Sequence, residues 1–126
     1  MTVLVLDSNL LWSARLTRAL AALGHQAAAS PRLPADLTGI QTAILNLNTP
    51  EPRLSEEAAA LQAAGIFLIA HAGHKERDLL QKGRSLGIDL VVTHSTIAHH
   101  LGRVMDQAAK LDRTHIPDPD EEPPTG

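Results

Sequence analysis

Four histidines, His71, His74, His94 and His99, stand at or just beyond the ends of two apolar runs in the second half of this chain, and the chain holds seven in all. Imidazole binds metals and exchanges protons near neutrality. The other polar residues that close apolar runs are Asp7-Ser8-Asn9 and Asn46-Leu47-Asn48-Thr49. Brought together, Asp7, His71, His74 and His94 would offer the nitrogen and carboxylate donors of a tetrahedral zinc site. Their spacing matches no metal motif, because His71-Ala72-Gly73-His74 falls on a turn rather than along one helical face. The plainer expectation is a set of polar rim residues filling a pocket. A third reading is a surface that responds to pH. With no cysteine there is no thiolate ligand, thiol nucleophile or disulfide framework. No nucleophile and base share a catalytic spacing, and Gly73 and Gly83 do not form a phosphate-cradling pattern. No enzyme activity is expected, and no cofactor is called for.

Those residues need elements to position them. Val3-Leu4-Val5-Leu6 is a continuous apolar run, as in a strand covered on both faces. Asp7, Ser8 and Asn9 are all competent N-caps for a helix over residues 10–23, with Trp12, Leu16, Ala19 and Leu20 on its packing stripe. Trp12 is expected to pack at the core edge. A weak strand over 25–30 precedes Pro31 and Pro34, which leave room for one helical turn at most. Strands are expected over 43–47, 66–70 and 89–93. Helices are expected over 56–64 (capped by Ser55), 74–86 and 95–111, with glycines closing the first two. Alternation of strand and helix with short loops predicts a parallel sheet with helices on both faces, and a site outside the carboxyl ends of its strands.

Composition narrows the classes. The chain has 126 residues, 44% hydrophobic and 20% charged, which suits one globular domain. Aromatic residues make up 2%, which argues against stacking on single-stranded nucleic acid. Residues 112–126 hold five of the fourteen acids and one of the eleven bases, so the body is nearly neutral and lacks the basic balance of a DNA-binding domain. No apolar run approaches the roughly 20 residues of a membrane span. With no targeting segment at the N-terminus, the expected location is cytoplasmic. The domain is expected over 1–111, and the acidic, proline-rich stretch 112–126 is expected to be a disordered tail.

The strand ends resemble those of receiver domains of two-component response regulators, the chemotaxis-regulator type. VLVLDSN is similar to the first strand and its acidic pair. AILNLNTP is similar to the third strand, where a phosphoacceptor Asp lies four residues before a Pro. IFLIAHAG and GIDLVVTHST are similar to the fourth and fifth strands. The resemblance covers about residues 1–111. It implies a flavodoxin-like, doubly wound five-stranded sheet of order 2-1-3-4-5, with the second helix shortened.

At the positions that the resemblance aligns with the phosphorylation site, the residue types differ. Asp7 matches one acid of the pair, but Ser8 stands where the metal-binding acid belongs. Asn46 stands at the acceptor position, His71 at the hydroxyl position and His94 at the lysine position, with Ser95 in place of the following proline. Asn48 completes the group. An amide is too poor a nucleophile to replace a carboxylate. Without the proline, a trans peptide is expected at His94-Ser95.

The resemblance therefore implies a pseudo-receiver, a regulatory module that works by protein–protein contact without aspartyl phosphate. With only a short tail after the last helix, it is expected to stand alone and to dock on another signalling protein or on itself. A homodimer through the face over residues 76–109 is one such arrangement. No nucleic-acid or membrane partner is expected. The alternative is a small-ligand or metal sensor using the pocket around Asp7, Asn46, His71 and His94.

Overall fold

The computed structural model describes residues 1–117. Strands β1 (Thr2–Leu6), β2 (Gln26–Ser30), β3 (Thr42–Asn46), β4 (Phe67–Ala72) and β5 (Leu90–Thr93) form one parallel sheet in the order β2-β1-β3-β4-β5. This is the flavodoxin-like order that the receiver resemblance implies, and the parallel sheet that the alternation predicts. β1, β3 and β4 are buried almost throughout because helices cover both of their faces, which is why they read as unbroken apolar runs.

Five helices occur among the described residues: α1 (Leu10–Ala22), α2 (Arg53–Ala63), α3 (Arg77–Ser85), α4 (His94–His99) and α5 (Leu101–Ala109). On one face, Leu16 and Leu20 of α1 meet Ile97 of α4 and Leu101, Val104 and Met105 of α5 over Val3, Val5, Ile44 and Ile69. On the other, Leu54, Ala58 and Leu61 of α2 and Leu80 of α3 pack over Leu4, Leu45 and Leu68. Gly83 lets α3 lie close on the sheet, since a Cβ there would sit 3.1 Å from Leu47 Cδ1 and Val91 Cγ2.

Several boundaries differ from the sequence expectations. The shortening between β2 and β3 goes further than one turn: residues 31–41 form no helix, and Leu33, Leu37 and Ile40 cover the sheet from a loop. Pro31 and Pro34 account for this. α2 begins earlier than Ser55, because the Glu51 carboxylate accepts the Ser55 N–H at 3.0 Å and caps the first turn in its place. α3 begins at Arg77 rather than His74, since residues 73–76 close a turn in which the Glu76 N–H donates to the Gly73 carbonyl. The helix expected over 95–111 is two helices. Thr93 caps the first through the Thr96 N–H, and the chain breaks at His100. His99, His100 and Gly102 are a cluster of poor helix formers at that point. The one cis peptide among the described residues is Glu51-Pro52, so His94-Ser95 is trans as expected.

The chain stays packed beyond Leu111. Arg113 pairs with Asp89 and lies over the Phe67 ring, and Ile116 is only 3% exposed within the α1–α5 core. The packed body thus includes residues 112–116, and the rest of the tail, from 118 on, lies outside the described residues. Sequence patterning missed Ile116 because one apolar residue among prolines and acids has no periodicity. Ile116→Ala is expected to lower stability by about 2–4 kcal/mol. Urea unfolding at neutral pH checks this. An unchanged midpoint would mean that Ile116 is not a core residue.

Candidate functional site

At the carboxyl ends of β1, β3 and β4, the parallel register brings Asp7, Asn46 and His71 side by side, and all three are buried. His94 begins α4 next to them and is half-buried. Four strand ends that the sequence singled out therefore do converge.

Asp7 leaves the sheet with its N–H on the Ser30 carbonyl, and its Oδ1 accepts the Asn9 N–H at 2.8 Å. Asn9 is the residue that caps α1, accepting from Leu11 and Trp12. Asp7 Oδ2 accepts Nδ2–H of Asn46 at 3.3 Å. The orientation of the Asn46 amide is fixed by its other end. Its Oδ1 accepts the backbone N–H of Asn48 at 3.0 Å, a group that can only donate, and the Asn48 side-chain amide at 3.2 Å. The acceptor-position residue is thus held with its N–H, not an oxygen, toward Asp7.

The histidines form a second cluster. His71 Nδ1 and His94 Nδ1 are 2.8 Å apart, so one must donate and the other accept. His94 Nε2 lies 3.8 Å from Glu76 Oε1, a distance that favours a proton on that nitrogen. His94 Nδ1 is then the acceptor and His71 Nδ1 the donor. This leaves His71 Nε2 as a bare lone pair, and it is the buried side-chain atom without a hydrogen-bond partner among the described residues. The assignment is the less costly one, since the opposite tautomers would bury an unpaired N–H.

Trp12 packs its ring 4.8 Å from each of the two imidazoles, and the Arg15 guanidinium lies 5.5 Å from the Trp12 ring centroid. The core-edge role expected of Trp12 is therefore also a wall of the site. Glu76 was missed by the sequence reading. Its Oε1 accepts the Gly73 N–H at 2.7 Å and the Asn48 amide at 3.3 Å, which ties the β3–α2 loop to the β4–α3 loop. The Gly73 N–H, helped by Asn48 and His94, holds its carboxyl below the usual range. A Glu three residues after a loop glycine was the available signal. Ser8 is exposed, as are Asn48, His74 and His99. Leu10 and Leu11, 79% and 84% exposed, sit on the first turn of α1 beside Asn9 and Trp12.

The donor chemistry does not suit a divalent ion. Among the described residues no three His, Asp or Glu side chains are gathered as metal ligands. His71 and His94 spend their facing nitrogens on each other, and His74 is outside the cluster. The magnesium that the receiver resemblance implies requires oxygens at octahedral positions. Here both oxygens of Asp7 are engaged by N–H groups, and Asn46 turns its nitrogen toward them.

No family model matches the chain, and no curated protein is significantly similar to it. Solved structures do match. A receiver domain protein from Clostridium thermocellum superposes with a TM-score of 0.73 at 14% identity, over 86% of this chain and 94% of that one. The receiver domain of the TMAO respiratory response regulator TorR gives 0.69 at 17% identity, over 88% and 98%. The BeF3-activated DrrB receiver domain gives 0.73 at 14%, over 86% and 97%. The chain has the receiver fold. Its site residues are its own, since likeness at this identity carries the backbone and not the chemistry.

Burial pushes the His71 imidazole down to about 3, and the neighbouring His94 adds to this. Burial lowers His94 as well, against the opposing pull of Glu76 and Asp7. Below pH 6.5 the unfolded chain takes up protons that the folded pair refuses. The pair's contribution to stability is therefore level above pH 6.5 and falls as the pH drops toward 3. His71→Leu is expected to flatten this slope. Urea unfolding of both proteins at pH 7.5 and 5.5 checks it, and equal slopes would refute it. The single Trp gives a second readout: its emission is expected to change with His94 protonation, at a pH below 6.5.

Proposed function

We propose that this chain is a regulatory module of the pseudo-receiver kind, acting through protein–protein contact and without an aspartyl phosphate. The observation that supports the reading best is the Asp7–Asn46 bond. The residue at the acceptor position is an amide whose oxygen is occupied by Asn48 and whose nitrogen is occupied by Asp7. Amide nitrogen is a very weak nucleophile, because its lone pair is delocalised into the carbonyl. Asp7, the carboxylate that remains, sits behind two N–H donors.

His94 stands at the lysine position, and burial keeps it neutral at pH 7, so it offers no fixed positive charge to a phosphoryl group. In place of a switch, the loops are tied by hydrogen bonds that already exist in the unmodified chain. A module built this way presents a preformed surface. The proposed contact face runs over residues 76–109. It exposes Arg77, Arg84 and Arg103 beside Asp78 and Asp106, a mixed-charge surface that suits another signalling protein of complementary pattern or a second copy. The ligand-sensor alternative draws no comparable support, because the pocket's polar groups are mostly satisfied from within.

The test is to incubate the protein with acetyl phosphate and magnesium and read intact mass and the amide spectrum. No phosphoryl mass increment and no shifts around Asp7, Asn46 and α3 are expected. A stable phosphoryl group on any carboxylate of this site would overturn the reading. For the contact face, Arg84→Glu with Arg103→Glu is expected to abolish capture of the native partner while leaving the unfolding midpoint within about 0.5 kcal/mol, as surface substitutions do.

A further inference from the structure

The strand at the far end of the sheet from the 76–109 face is unusual in what it lacks. β2 (Gln26–Ser30) is an edge strand of sequence QAAAS, with no charge and no proline inside it. Edge strands ordinarily carry lysine, proline or a bulge that discourages pairing with another chain. The loss of a helix between β2 and β3 also leaves Ala28 exposed on the face that it shares with Leu4.

The hydrogen-bond phase of β2 follows from its ends. The Gln26 N–H donates to the Met1 carbonyl, and the Ser30 carbonyl accepts the Asp7 N–H. Gln26, Ala28 and Ser30 therefore turn their backbone groups toward β1. Ala27 and Ala29 turn theirs outward, toward the open edge, where no backbone partner among the described residues meets them.

We propose that β2 pairs antiparallel with β2 of a second copy of this chain, about a two-fold axis at Ala28. The strand is self-complementary in that register. Ala27 faces Ala29 of the other copy, so the outward N–H and C=O groups of each meet those of the other as hydrogen-bonded pairs. Ala28 faces Ala28 in the close, non-hydrogen-bonded pairing, and Gln26 faces Ser30, so no like charges oppose. The two sheets continue as one, and the 76–109 face of each copy stays free. Five small residues a side bury far less than the roughly 800 Å² per partner of a stable interface. The dimer is accordingly weak and forms only at high concentration.

The absence of native cysteine makes the register directly testable. Sedimentation velocity over a concentration series to the solubility limit is expected to show the mass rising from one chain to two. Ala29→Pro removes an outward N–H without touching the β1 ladder, and is expected to abolish the rise while unfolding normally. Ala28→Cys is expected to form an inter-chain disulfide under mild oxidation, because directly opposite Cβ atoms lie about 4.5–5.5 Å apart. Ala29→Cys, offset from its own copy, is expected not to. A single-chain mass at every concentration, a dimer that survives Ala29→Pro, or equal cross-linking of the two cysteine variants would each overturn the proposal.

Discussion

The Asn46 amide is the constraint around which the carboxyl edge of the sheet is arranged. Its oxygen takes two donors from Asn48, which leaves its N–H groups directed at Asp7. An Asp at position 46 would bring a second carboxylate to the 3.3 Å at which the amide now stands, and two like charges in a buried setting raise each other's pKa. The amide turns that repulsion into a hydrogen bond. Asp7 then accepts from Asn9 and Asn46, and Glu76 from Gly73 and Asn48, so both carboxylates have N–H donors within the chain.

The histidine pair follows the same logic on the next strand. A neutral imidazole can both donate and accept, so two of them satisfy each other where a lysine would demand an anion. The arrangement tolerates only one proton between the facing nitrogens, and burial at His71 keeps that proton count low. Trp12 meets both rings in tilted contacts and is at the same time part of the α1 packing stripe. The site is thereby an extension of the core rather than a cleft beside it.

The legibility of all this from the sequence differs by kind. The parallel sheet and the site's location were readable, because unbroken apolar runs such as Val3–Leu6 and Ile66–Ala70 alternate with amphipathic stretches and sites in such sheets lie outside the strand ends, whereas the strand order came from the resemblance. Side-chain pairings were not. His71 and His94 are separated by 23 residues, and only the β4–β5 register brings them together. Helix starts were displaced wherever a side chain competed with the local cap: Glu51 took the role assigned to Ser55, and Glu76 folded back on Gly73. His74 and His99 looked equivalent to His71 and His94 in sequence. His74 lies two residues past the end of β4 and His99 six past the end of β5, and both are exposed.

A receiver switch depends on a loop that moves when a new anion appears. Here the β3–α2 and β4–α3 loops are joined by the Glu76–Asn48 bond, and Glu76 faces His94 at the start of α4. The elements flanking the 76–109 face are thus linked through one carboxylate that needs no covalent modification to hold them. A ligand can shift a conformational equilibrium only by its differential affinity for the two states. The unmodified chain already makes the bonds that tie these loops, so the state in which they are joined needs no added group to form it.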